Sequence, residues 1–281
     1  MADDVLIEKR SDGVARITLN RPESLNAMGG SLMPMLAQYL ADVSADRSVR
    51  CVVLTGAGRA FCAGGDVKGM AAGRDAVLNP NGAAGTATEM SPAAVLHMAV
   101  QGLRQAQRAT SLLLHTMPKP TIAMVNGHAV GAGLSLALAC DIRVASENAK
   151  LGTVFRNVGF SGDFGGSYFL QKLVGIGKAR ELYFTGEILS AADALAIGMV
   201  NRVAPPERLG EETMALAAQL ASGPTLAYAR MKENLNRAED CDLVTLLDQE
   251  ALNMTLSGQT SDHREAAKAF VEKRSPTFKG V

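Results

Sequence analysis

Two apolar runs in this chain each lead into a cluster of glycines, and that pattern limits what can be built around them. Residues 49–54 predict a buried strand running into Thr55-Gly56-Ala57-Gly58-Arg59-Ala60-Phe61-Cys62-Ala63-Gly64-Gly65-Asp66, a stretch whose glycine content predicts a loop. Thr121–Val125 predicts a second strand, turned by Asn126-Gly127 and followed by Gly131-Ala132-Gly133, where a helix of small residues begins. Corners without side chains allow close approach and leave backbone N–H groups free to aim at one oxygen. A helix N-terminus adds partial positive charge. Two converging amides suit an oxygen that becomes negative during a reaction. Taken singly, either corner also reads as a tight turn.

The spacing excludes the familiar nucleotide sites. A P-loop needs Gly-Lys-Ser/Thr, which does not occur, and the Gly-x-Gly of each corner, Gly56-x-Gly58 and Gly131-x-Gly133, lacks the third glycine of a dinucleotide fingerprint: Phe61 and Leu136 stand there. Ser135, in Gly133-Leu134-Ser135-Leu136-Ala137, misses the hydrolase elbow by one glycine and reads as a buried helical serine bonded to its own backbone. The four histidines have no metal-ligand spacing, so no metal is expected.

Composition narrows the class further. In 281 residues, 28 Lys and Arg balance 28 Asp and Glu, which argues against the concentrated basic face that nucleic acid requires. Hydrophobic residues at 47% predict a well-cored globular protein. The longest apolar stretch, residues 129–140, is too short for a bilayer, and the acidic opening has no signal-peptide core; a cytoplasmic enzyme is expected. The four scattered cysteines read as reduced thiols, mostly buried. The methionines fall at core-like positions such as Met33 and Met35.

Along the chain, Val5–Lys9 and Val14–Leu19 predict a hairpin, and Leu32, Leu36, Leu40 and Val43 a helix. Residues 71–90 have the composition of a mobile loop. Ser91-Pro92 opens a helix that ends before Pro118. Strands are predicted at 142–145 and 199–203, and Ser190 caps a short helix. After Pro205-Pro206 the pattern is helical: 207–221, 224–237, 242–257 and 261–272. The expectation is an α/β core over residues 1–204 and a helical region over 205–281.

The stretch Ala60-Phe61-Cys62-Ala63-Gly64-Gly65-Asp66-Val67, with Pro120-Thr121-Ile122-Ala123-Met124-Val125-Asn126-Gly127-His128-Ala129-Val130-Gly131-Ala132-Gly133, closely resembles the enoyl-CoA hydratase/isomerase (crotonase) superfamily. Cys140-Asp141-Ile142-Arg143-Val144-Ala145, residues 186–203 and the tail 270–278 extend the resemblance. It implies a spiral of ββα units with a C-terminal helical region that builds a homotrimer or a dimer of trimers. It also implies an acyl-CoA substrate, the CoA being part of the substrate and no separate cofactor needed. The amides that hold the thioester oxygen fall on Gly65 and Ala132. Ala63, Asp66, Val67 and Lys68 match the stretch bordering CoA, and Phe270 and Lys273 match a tail that reaches a neighbouring subunit's CoA.

Hydratases of the family use two glutamates, and the matched motifs place those positions at Ser135 and Phe155, neither of which is an acid. Asp163, in Ser161-Gly162-Asp163-Phe164-Gly165-Gly166, matches the aspartate of the isomerase branch, which includes enzymes acting on dienoyl-CoA and ring-1,2-epoxyphenylacetyl-CoA. Phenylalanines nearby would desolvate it and raise its pKa. Asp163 is also placed to cap the helix starting near Gly165. The expectation is therefore a thioester isomerase with Asp163 as base and acid. Three alternatives stand beside it: a hydratase recruiting Glu89 or Asp75, an enzyme using Asp163 as nucleophile, and a non-catalytic acyl-CoA binder.

Overall fold

The computed structural model describes residues 3–71 and 91–281, with backbone only for Lys68 and Met70; of the loop expected at 71–90, Ala71 instead ends a short helix, and the rest, including Asp75 and Glu89, lies outside the described residues. β1 (Val5–Lys9) and β2 (Val14–Leu19) form the predicted antiparallel hairpin, Val5 opposite Leu19. β3 (Cys51–Gly56) pairs parallel with β2 and is buried along its whole length. So is β5 (Thr121–Val125), as strands covered on both faces should be. β7 (Ile142–Ser146) and β10 (Arg202–Ala204) complete a six-stranded sheet ordered β1-β2-β3-β5-β7-β10, parallel from β2 onward.

A second sheet stands beside it. β4 (Ala60–Cys62), β6 (His128–Val130) and β8 (Lys150–Gly152) pair in parallel, and β9 (Ile188–Ser190) closes the edge antiparallel to β8. The stretch 55–66 is therefore not all loop: Ala60–Cys62 is a strand, held by a partner that lies far along the chain. Three-residue strands carry too little periodicity to be read locally, and β8 and β9 escape prediction for the same reason. The strand expected at 49–54 begins at Cys51, where pairing with Val14 begins. That expected at 199–203 shifts to Arg202–Ala204, because Met199 and Val200 are buried in the core without joining the ladder.

Helices cover both sheets. α1 (Leu32–Ala45) buries Leu32, Leu36, Leu40 and Val43, one stripe of helical spacing. After the short α2 (Val67–Ala71), α3 (Pro92–Gln107) is capped by the Ser91 side chain, which accepts from Ala94 N. A π-helical turn (Arg108–Leu112) carries it into α4 (Leu113–Thr116). α5 (Ala132–Leu138) is buried on every side. α6 (Gly166–Val174), α7 (Ile176–Thr185) and α8 (Ala191–Ala196) follow, the last capped by Ser190 as predicted. α9 (Leu209–Ala221) lays Leu209, Leu216, Ala217 and Ala221 on the six-stranded sheet. α10 (Thr225–Ala238), α11 (Leu243–Gly258) and α12 (Ser261–Val271) complete the chain's helices. Among the described residues, no helix is long and apolar enough to cross a membrane.

One buried cation fastens α10 to the core. Lys232 Nζ donates to Leu114 O (2.8 Å) and to Asp141 Oδ2 (2.9 Å), and Asp141 also accepts from Thr121 N (2.8 Å). Removing the amine strands a carbonyl and weakens the hold on a partly buried carboxylate. Lys232→Ala is expected to lower unfolding free energy by about 2–4 kcal/mol in urea titration, through loss of this pair and of the aliphatic stem.

Candidate active site

The glycine corners meet because their strands pair. β4 and β6 run parallel with Cys62 opposite Ala129, so the two chains leave the small sheet side by side. The backbones then touch directly. A Cβ on Gly64, which holds φ +83°, would stand 2.9 Å from Val130 O and 3.2 Å from Ala132 N. A Cβ on Gly133 would overlap the Cys62 carbonyl. Only bare backbone fits at both places. Ala132 is the first residue of α5, so its N–H has no acceptor within the helix. Gly65 sits beside Met28, whose N–H donates to Gly64 O at 2.7 Å.

Two asparagines brace the first corner. Asn26, fully buried, accepts from Arg21 N and donates to Ala57 O and Ala60 O; Asn126 donates to Gly58 O. The Cys62 thiol donates to Asn26 O (3.1 Å) and Ala63 N to Leu25 O (3.0 Å). Composition alone marks neither asparagine, since each spans loops far apart in sequence.

Asp163 stands on the loop before α6. Its Oδ1 is buried with no hydrogen-bond partner among the described residues, and burial pushes its carboxyl up to about 6. The expected capping role does not hold: the N-cap is Gly165, and it is the Asp163 main-chain carbonyl that accepts from Gly166 N (3.1 Å). Gly165, with φ +77°, supplies the left-handed turn into the helix, which frees the carboxylate to point elsewhere. Two neighbouring groups feel the acid. Burial pushes the Cys62 thiol and the Tyr183 phenol up to about 12, and the charge of Asp163 adds to both. Through Cys62, which stands two residues before Gly64, the acid lies within electrostatic reach of the first corner.

The surroundings are aromatic and small. Phe155, buried, stacks on Tyr183 with ring centroids 6.0 Å apart and lies against Gly131 and Gly162. Ser135 is buried and bonds weakly to Gly131 O at 3.4 Å, as the sequence predicts. Gln107, at the end of α3, accepts from Phe164 N (2.9 Å), so the π-helical turn begins where that helix grips the acid loop. Four non-glycine residues with left-handed backbone flank this region: Leu25 and Asn26 behind the first corner, Val154 and Phe164 beside Phe155 and Asp163. A β-branched residue at φ 40° is strained, and strain of this kind collects at functional sites. Gln107 and Tyr183 carry no sequence signal that marks them.

The other expected site residues are spread more widely. Asp66 Oδ1 accepts from Gly69 N at 2.9 Å and so caps α2, while Val67 is half exposed beside it. The Lys68 side chain lies outside the described residues. Phe270 is 85% exposed at the end of α12, with Lys273 just beyond; no hydrogen bond among the described residues ties either to the glycine corners. Among the described residues no cluster of histidine, cysteine or carboxylate is placed to hold a metal ion.

Comparison with known proteins decides the family. A family model described as enoyl-CoA hydratase/isomerase matches residues 9–106 and 83–281. The chain belongs to the enoyl-CoA hydratase/isomerase family. It is 38% identical over 268 residues to the 1,2-epoxyphenylacetyl-CoA isomerase of Escherichia coli (strain K12), covering 95% of each chain. It is 34% identical to the short-chain-enoyl-CoA hydratase of Clostridium acetobutylicum, covering 97% of this chain and 96% of that one. Among solved structures, an enoyl-CoA hydratase from Bacillus anthracis superposes with a TM-score of 0.85 at 33% identity, over 99% of this chain and 100% of that chain. The α/β architecture described above is thus the crotonase fold, and the chain is an acyl-CoA enzyme of the hydratase/isomerase type.

Backbone contact at Gly133 offers a direct test of the site's construction. In a helix interior alanine outranks glycine by about 1 kcal/mol, but here its Cβ meets the Cys62 carbonyl. Gly133→Ala is expected to push the corners apart and lower kcat/KM by about 10²-fold, with a circular-dichroism spectrum still native.

Proposed function

We propose that this chain is an acyl-CoA isomerase that moves a double bond by a 1,3-proton shift. Asp163 removes a proton near the thioester. The Gly65 and Ala132 amides hold the resulting enolate oxygen, and the same carboxyl returns the proton farther along the acyl chain. The observation that carries this reading is Asp163 itself: a carboxylate with a buried oxygen that has no partner among the described residues, pushed up to about 6, within electrostatic reach of the first corner. Its pKa suits a base that must take and return a proton near neutral pH. The positions that the hydratase motif assigns to glutamates hold Ser135 and Phe155, so a single acid supports proton shuttling more directly than addition of water. Asp66, Val67, Ala63 and Lys68 form the proposed rim for CoA. A cytoplasmic location, where the three buried free thiols stay reduced, belongs to the same reading.

Asp163→Asn separates chemistry from fold. Turnover is expected to fall at least about 10³-fold while CoA binding, followed by calorimetry, stays near wild type. Wild-type kcat should rise with pH through about 6 and level off above, because the base must be ionised. Stability carries the opposite sign. A carboxyl whose folded pKa is raised binds its proton more tightly when folded, so its contribution is full below about 4 and lost as pH climbs through 6. The neutral asparagine escapes that loss. Its Tm at pH 7.5 is expected to rise by roughly 2–6 °C in scanning calorimetry.

Residues 205–281 are proposed as the assembly region of a homotrimer or a dimer of trimers. Leu243, Val244, Leu247 and Met254 on α11 and Phe270 on α12 are all more than half exposed, an apolar load that a lone chain seldom leaves uncovered. In that assembly Phe270 and Lys273 would reach a neighbour's CoA. Sedimentation should give a mass three or six times that of the chain, and Leu247→Glu should release smaller species.

A further inference from the structure

Tyr183 has a hydroxyl with no partner, and it faces the same loop as the acid. The phenol oxygen is buried and makes no hydrogen bond among the described residues. The glycines on either side of Asp163 enclose it: a Cβ on Gly162 would stand 3.4 Å from the hydroxyl, and one on Gly166 would stand 2.7 Å from it. That same Gly166 Cβ would overlap Ser135 Oγ, so both hydroxyls crowd the same side of Gly166. Stacking on Phe155 fixes the direction of the ring. A buried donor and a buried acceptor without partners each carry a desolvation cost that folding alone does not explain.

The chemistry of the two groups specifies what lies between them. An ionised Asp163 only accepts; a neutral Tyr183 can donate. One oxygen that donates to the carboxylate and accepts from the phenol satisfies both, and Ser135 offers a third contact, enough to hold a water molecule. We propose that Tyr183 is a catalytic residue that, with Asp163, holds a single hydroxyl-type oxygen against the acyl chain: the water that adds to a 2-enoyl-CoA, or the 3-hydroxyl of the product. These two sources are one atom before and after reaction. The inference rests on Asp163 being the base of an acyl-CoA site.

The step balances with no further reactant. Asp163 takes a proton from the water, and the water oxygen bonds to C3. The C2=C3 electron pair moves to the thioester oxygen at the Gly65 and Ala132 amides. The enolate collapses and C2 takes the proton back from Asp163, leaving a 3-hydroxyacyl-CoA. Tyr183 donates its hydrogen bond to the water oxygen throughout and keeps its proton, so it serves where a second carboxylic acid would otherwise stand. Phe155, which fills the position of such an acid, provides the ring that orients it.

Partitioning between hydration and proton exchange tests this. The full chain is incubated with a 2-enoyl-CoA in ¹⁸O-labelled water, and with a 3-enoyl-CoA in deuterated water, and both products are read by mass spectrometry. The wild type is expected to form labelled 3-hydroxyacyl-CoA as well as exchanged isomer. Tyr183→Phe keeps the ring and its stacking, and should lower the ratio of hydration to exchange at least tenfold. Dehydration of added 3-hydroxyacyl-CoA should fall by the same factor, since the same oxygen is held. An unchanged ratio in Tyr183→Phe, or a wild type that exchanges protons without forming labelled product, overturns the inference and leaves the isomerase reading intact. Exchange that survives in Asp163→Asn overturns the isomerase reading and, with it, the inference that rests on Asp163 as the base. Absence of both reactions in the wild type overturns both.

Discussion

The site depends on one contact: bare backbone against bare backbone where β4 and β6 leave the small sheet. Parallel pairing of Cys62 with Ala129 sends two chain segments out on the same side. The absence of side chains at Gly64 and Gly133 lets the second segment's helix start almost on top of the first. Side-chain packing could not bring the two backbones this close, since a Cβ at either glycine would meet the other corner's backbone. The larger six-stranded sheet acts as the rigid base, with β3 and β5 buried throughout so that the exits of both corners move little.

Around this frame several locally costly features gather. Asp163 is buried without a partner, Tyr183 likewise, and Val154 and Phe164 hold left-handed backbone beside them. Each feature destabilises; Asp163, Val154 and Phe164 lie in the stretch between β8 and α6, and Tyr183 packs against that stretch from α7. Their concentration around Asp163 fits the desolvated acid proposed for this site. Gln107 holds that loop from the opposite side, so the helix that follows the undescribed stretch helps to fix where the carboxylate stands.

The fold was largely legible where periodicity runs long. Val14–Leu19, Thr121–Val125 and the late helices stand within two residues of where apolar spacing places them. Short strands were not legible, because Ala60–Cys62 and Ile188–Ser190 owe their form to partners rather than to their own pattern. For the proposed site, Gly65, Ala132 and Asp163 could be named through motif resemblance, while Tyr183 and Gln107 could not. A tyrosine in an amphipathic helix and a glutamine at a helix end look the same whether they face water or substrate.

Sequence by itself determined the family, the two bare corners and the loss of both glutamates, since each is written as residue type at fixed spacing. Only the tertiary structure decided what Asp163 does with its carboxylate. The same aspartate in the same loop could have capped α6, and it does not, because Gly165 turns the chain and leaves the main-chain carbonyl to make that bond. Spacing along a chain fixes which groups are near one another, but the direction of a side chain follows from backbone angles and from everything packed around it.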